Sequence, residues 1–196
     1  EPLYDDFFNG YYGAAAPLVR KYWAELQAFG APLDVSINIW TGPTAKYYPA
    51  GFFERSLKLW NQAEASVATD PQRSYNVRMS ALPIYYALIL RMNAGDVQFD
   101  YQDGRFMPKG EDSEYARLAR VFLKRFKEAG DIRTSENATR QNDFLTTLRS
   151  RTDGISTMVI KGGGFEANVV NEFGGRVCRL VKGDGASVLD SSFGLD

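Results

Sequence analysis

What most constrains this chain is a change in the spacing of its apolar residues. Over most of the first 151 residues they recur every three or four positions, the repeat that gathers them on one side of a helix. From Asp153 onward they fall into short β-prone runs divided by glycines. The order predicts a mainly α protein: an antiparallel helical bundle followed by a small, incomplete antiparallel β region.

The first stripe is Phe8, Tyr12, Ala15, Val19, Trp23 and Leu26, and it predicts a helix over residues 4–30 stopped by Gly30. Pro17 lies inside it; without a backbone donor, and crowding the preceding turn, it either kinks the helix or divides it in two. Residues 34–40 alternate Val35, Ile37 and Ile39 with Asp34, Ser36 and Asn38, the period of an extended segment, and a loop over 41–49 follows. Phe53, Leu57, Trp60, Ala63 and Val67 mark a second helix over 50–68, ended by Asp70-Pro71. A third helix has Pro71 in its first turn, reaches about Met92, and turns Val77, Ala81, Ile84, Tyr85, Leu88 and Met92 inward. Pro83 in its middle predicts a bend near Met79.

Residues 93–110 read as a loop with a brief hairpin over 99–106. A fourth helix is capped by Asp112 or Ser113, striped by Tyr115, Leu118, Phe122, Phe126 and Ala129, and stopped by Gly130. Its other face is basic: Arg117, Arg120, Lys124, Arg125 and Lys127. Ser135 opens a fifth, short helix carrying Phe144, Leu145 and Leu148 and ending near Arg151. The β-prone runs are 155–160, 165–170, 176–181 and 186–189. They are too few to close a sandwich or barrel, so the expected division is a helical domain over 1–152 and, over 153–196, the start of a further β domain. The opening Glu1-Pro2, with no initiator Met, reads as a processed or excised chain.

Composition removes several chemistries. There is no histidine, so neither a Ser-His-Asp nor a Cys-His nucleophile can be built from this chain, nor a His-containing zinc site. A single cysteine, Cys178, cannot form an internal disulfide or a multi-thiolate metal site. A net charge of -1 gives no global pull toward nucleic acid or an anionic membrane. The longest apolar stretch, 81–90, is broken by Pro83 and falls short of the ~20 residues a membrane span needs. Gly162-Gly163-Gly164 lacks the Gly-Lys-Ser/Thr of a phosphate cradle and reads as a turn. Asn137-Ala138-Thr139 has the form of a glycosylation acceptor. No cofactor and no metal site is expected.

Sugar rings pack their C–H faces on aromatic rings while their hydroxyls seek planar polar groups. The loop offers Trp40, Tyr47 and Tyr48, with Asn38, Thr41 and Lys46 nearby, as candidate carbohydrate contacts. The competing reading makes Trp40 a core plug and has the tyrosines cap a helix end. Trp23 and Trp60, on helical stripes, are read as core. Asp5-Asp6, Glu111-Asp112 and Asp184 sit where capping and turn solvation account for them, and no catalytic residue is assigned.

The run Phe8-Asn9-Gly10-Tyr11-Tyr12-Gly13-Ala14-Ala15-Ala16-Pro17, leading into Arg20-Lys21-Tyr22-Trp23, resembles the opening of a helical domain of unknown function found C-terminal to the catalytic barrel in bacterial glycoside hydrolases of the alpha-glucuronidase-like kind. The likeness continues through Trp60-Asn61-Gln62-Ala63-Glu64-Ala65 and residues 78–90, covering about 4–92, with Pro83 departing from it. Asn171-Glu172-Phe173-Gly174-Gly175-Arg176-Val177, with Arg179-Leu180-Val181 and a Gly-Asp-Gly turn, is similar to the first hairpin of galactose-mutarotase-like β-sandwiches. The resemblance implies a non-catalytic accessory region whose partner is the catalytic barrel of the same parent chain, with oligosaccharide as a further contact, in a secreted or periplasmic enzyme. The catalytic carboxylates would then lie upstream. The alternative is a freestanding helical scaffold for protein interaction or glycan binding.

Overall fold

The computed structural model describes residues 2–30, 42–45, 48–92, 98–109, 113–130, 132–171 and 175–190. They form two compact units, Glu1–Asn93 with Lys124–Gly130, and Ala94–Leu123 with Asp131–Asp196. The chain is mainly α, with small antiparallel sheets in the second unit.

In the first unit the opening stripe is divided, as Pro17 allowed. Helix α1 covers Pro2–Tyr12, a 3-10 turn Gly13–Ala15, and α2 Ala16–Gly30. Pro17 falls in the first turn of α2, where its missing N–H has no helical partner to lose. The break itself is at Gly13: its φ is +55°, and a Cβ there would collide with the Arg73 side chain. Helix α3, Phe52–Ser66, packs against α2 and against α4, Pro71–Arg91, which also meets α1. The stripe of α3 is buried at Phe53, Leu57, Trp60 and Ala63. Asp70 caps α4, its carboxylate accepting from the Arg73 N–H at 3.0 Å. Helix α4 runs on through Pro83, whose ring is exposed, while Val77, Ala81, Ile84, Tyr85 and Leu88 are buried. The extended run over 34–40 lies outside the described residues.

Helix α5 spans Glu114–Ala129, capped by Ser113 Oγ accepting from the Ala116 N–H, with Gly130 at φ +75° as its stop. The basic face expected of it is not uniform. Arg125 is buried, paired with Glu64 at 2.6 Å and lying 4.7 Å from the Tyr85 ring centroid, because at the end of α5 it faces α3 and α4. Arg78 pairs similarly with Glu128.

In the second unit, strands β1 (Phe99–Gln102) and β2 (Arg105–Pro108) form a hairpin turned by Asp103 and Gly104, both at positive φ, as a two-residue turn of this hand requires. Helix α6, Ala138–Asp153, starts later than Ser135: Asn137 is the cap, and Ser135 Oγ accepts from the Asn137 N–H. It ends at Gly154, whose φ of 75° and ψ of -176° only glycine adopts easily. The single run read over 155–160 is two strands. β3 (Ile155–Ser156) pairs with β2, then Thr157 donates from both N and Oγ1 to the Gly104 carbonyl, and β4 (Met158–Gly162) joins a second sheet.

That sheet has the order β4-β5-β6-β7, all antiparallel, with β5 Phe165–Val170, β6 Arg176–Lys182 and β7 Ser187–Asp190. One face supplies Val170 and Cys178 to a core shared with Phe106 and Ile155. Fully buried Asn168 ties this face to the hairpin: it donates to Tyr101 Oη at 2.7 Å and to Thr157 Oγ1 at 3.0 Å, and accepts from Arg179 at 3.3 Å. On the opposite face the register aligns Met158 with Val169 and Val177, and Ile160 with Ala167, Leu180 and Leu189. Met158, Ile160, Val177 and Leu189 are each between 42% and 52% exposed, so this face is apolar and largely open around a buried Val169.

Candidate functional site

Helix α1 carries five aromatic residues on one face, Tyr4, Phe7, Phe8, Tyr11 and Tyr12, and two of them are buried. Phe8 and Tyr12 go inward, and Tyr12 Oη lies 2.9 Å from Ser80 Oγ on α4. Burial raises the pKa of the Tyr12 hydroxyl above the usual phenolic value, which keeps it a neutral hydrogen-bonding group. The remaining rings stay outside. Phe7 is stacked on Tyr11 with centroids 5.4 Å apart and is 53% exposed, and Tyr4 is 67% exposed.

Across from them on α2 stands Trp23, 43% exposed. Trp23 is thus a surface residue and not the core residue its helical stripe predicts. Tyr22, not Trp23, turns toward Trp60, with ring centroids 5.3 Å apart, because the buried stripe through Phe8, Tyr12, Ala15 and Val19 falls nearer position 22 than 23 at 3.6 residues per turn. Between α1 and α2 lies a groove of about 830 Å³, walled by Tyr4, Phe7, Phe8, Tyr12 and Trp23, with Leu3, Ala24, Asp6, Arg20 and Gln27 completing it. Arg20 is ion-paired with Asp5, and its guanidinium carbon lies 5.0 Å from the Phe8 ring centroid. The volume suits a small-molecule ligand, and ring faces beside a few polar groups are what a sugar needs.

Trp40 and Tyr47, with Asn38, Thr41 and Lys46, lie outside the described residues. Tyr48 is half-buried and packs on Phe52 and Phe53, with centroids 6.0 and 4.8 Å away, at the start of α3. Trp60 is core, 3% exposed between Tyr12 and Tyr22. Spacing carries no signal for the groove: positions 4, 7, 8, 11 and 12 follow the i, i+3, i+4, i+7, i+8 pattern of one apolar face, and only the structure shows that Phe8 and Tyr12 alone of these rings are buried.

Three glutamates on the surface are held in their ionised form by basic partners. Glu114, Glu128 and Glu166 are each held below the ordinary glutamate range, first by hydrogen bonds from Arg117, Arg78 and Lys161 respectively. A glycosidic general acid needs the opposite shift. Asp184 accepts from the Ala186 N–H in a turn, and Gly163 and Gly164 make the turn between β4 and β5 at positive φ. Among the described residues no cluster of His, Cys, Asp or Glu suits a metal ion, and no helix is long and apolar enough to cross a membrane. No family model, curated protein or solved structure matches this chain.

Proposed function

We propose that this chain is a non-catalytic accessory region of a carbohydrate-degrading glycoside hydrolase, bracing the parent's catalytic barrel and contacting glycan through the groove between α1 and α2. The observation that carries the glycan contact is the exposed ring set Tyr4, Phe7 and Trp23 facing a groove with Asp6, Arg20 and Gln27 in its wall. Apolar ring faces beside hydrogen-bonding groups match a sugar's two kinds of surface. Glu114, Glu128 and Glu166, which arginine and lysine partners hold in the ionised form, do not suit the role of a glycosidic general acid. The β tail is read as one leaf of a galactose-mutarotase-like sandwich, supported by the open apolar face of its four-stranded sheet.

Calorimetric titration of the chain with cellohexaose, xylohexaose and hexagalacturonate tests the glycan contact. Saturable binding by at least one oligosaccharide is expected, weakened at least about fivefold by Trp23→Ala, since a stacked ring contributes on the order of 1–3 kcal/mol. No binding by any of the three would refute it. A second reading, a freestanding protein-interaction scaffold, is favoured by Leu3, which is almost wholly exposed at the groove and offers a sugar nothing. That reading expects the groove to ignore all three oligosaccharides.

A further inference from the structure

We infer that the groove between α1 and α2 selects a neutral glycan and disfavours one that carries carboxylates; this rests on the glycan reading above and names its ligand class. Among the described residues the groove wall holds a single basic side chain, Arg20, and that guanidinium is already engaged. It is ion-paired with the Asp5 carboxylate, its Nη2 donates to the Asp5 carbonyl at 3.2 Å, and it lies over the Phe8 ring. Asp6, which also lines the groove, enters no ion pair among the described residues. Asp5 and Asp6 set against Arg20 leave one excess negative charge at the site.

A uronate entering the groove would have to replace Asp5 at Arg20. Asp5 is tethered beside its partner, so its effective concentration is on the order of millimolar or higher, and a free ligand competes poorly. The uronate would also meet Asp6 as a like charge. Neutral hydroxyls meet neither obstacle. The Asp6 carboxylate accepts hydrogen bonds from hydroxyls, the Gln27 amide both donates and accepts, and Tyr4, Phe7 and Trp23 present ring faces to C–H surfaces.

The test is the comparison of cellohexaose and xylohexaose with hexagalacturonate, by calorimetry at low and at moderate salt, on the chain and on Asp6→Asn. The better neutral hexamer is expected to bind about tenfold more tightly than hexagalacturonate at low salt, the size of one like-charge contact between largely solvated groups. The gap is expected to narrow with added salt and in Asp6→Asn. Hexagalacturonate binding as tightly as the neutral hexamers, or a gap indifferent to salt and to Asp6→Asn, would overturn the inference while leaving the glycan contact standing. Binding by none of the three would remove the glycan contact itself, and this inference with it.

Discussion

Trp60→Ala should be among the most damaging single changes to the first unit. The indole is 3% exposed and sits between the Tyr12 and Tyr22 rings, with centroids 6.3 and 5.3 Å away. Emptying a site of that size costs about 3–5 kcal/mol, since the surrounding helices cannot fully collapse into it. With a urea dependence of ~2 kcal/mol per molar, the unfolding midpoint followed by far-UV circular dichroism should fall by roughly 1.5–2.5 M. Trp60→Phe should behave differently. The Trp60 Nε1–H is buried and makes no hydrogen bond among the described residues, an arrangement that costs about 1–3 kcal/mol. Phenylalanine removes that donor while keeping most of the ring, so its net loss is expected to stay below about 1.5 kcal/mol. An unchanged midpoint in Trp60→Ala would place Trp60 outside the core. Equal losses in the two variants would show that the indole N–H has a partner.

Gly154→Ala should destabilise the second unit by about 2–4 kcal/mol, because a Cβ there meets the Phe106 carbonyl oxygen at 2.5 Å on a backbone that only glycine adopts easily; thermal unfolding measures it, and a loss below ~0.5 kcal/mol would contradict the geometry. Ile160→Lys on the open sheet face should cost less than about 1 kcal/mol, whereas Val170→Lys, buried against Phe106 and Ile155, should unfold the sheet; denaturant midpoints that rank the two the other way would reverse the assignment of faces. Glu128 is held low by its hydrogen bond from Arg78, so its contribution to stability is full above the unfolded glutamate value of about 4.3 and is lost as pH falls through the lower folded value. Glu128→Gln should therefore flatten the acid limb of the stability curve slightly, the pair being partly exposed, and an unaltered limb would mean that the pair does not persist in solution.

The parts of the fold legible in the sequence are those set by local chemistry. Asp70-Pro71 starts α4 because a capping carboxylate and a pre-set φ act within one turn, and Asp103-Gly104 turns the hairpin for an equally local reason. The misread residues depend on partners far along the chain. Arg125 sits on a stretch that looks basic and solvated, yet Glu64 and Tyr85 draw it inward. Thr157 interrupts an apparently continuous β run because its hydrogen bonds go to Gly104. Trp23 looks like a core residue by its i, i+4 spacing from Val19, but at 3.6 residues per turn the buried stripe falls nearer Tyr22, which packs on Trp60. The groove is a product of packing: the rings of α1 lie on one helical face, and nothing in their spacing announces that Tyr4 and Phe7 share a groove with Trp23 of α2.

The most direct test of the central claim is the indole N–H spectrum of the chain during titration with a neutral hexamer, with the three tryptophans assigned by single Trp→Phe variants. The Trp23 resonance is expected to shift and saturate while that of Trp60, buried in the core, stays in place. A Trp23 resonance that does not move at millimolar excess of either cellohexaose or xylohexaose, or a response confined to Trp40, would contradict the assignment of the groove between α1 and α2 as the glycan contact.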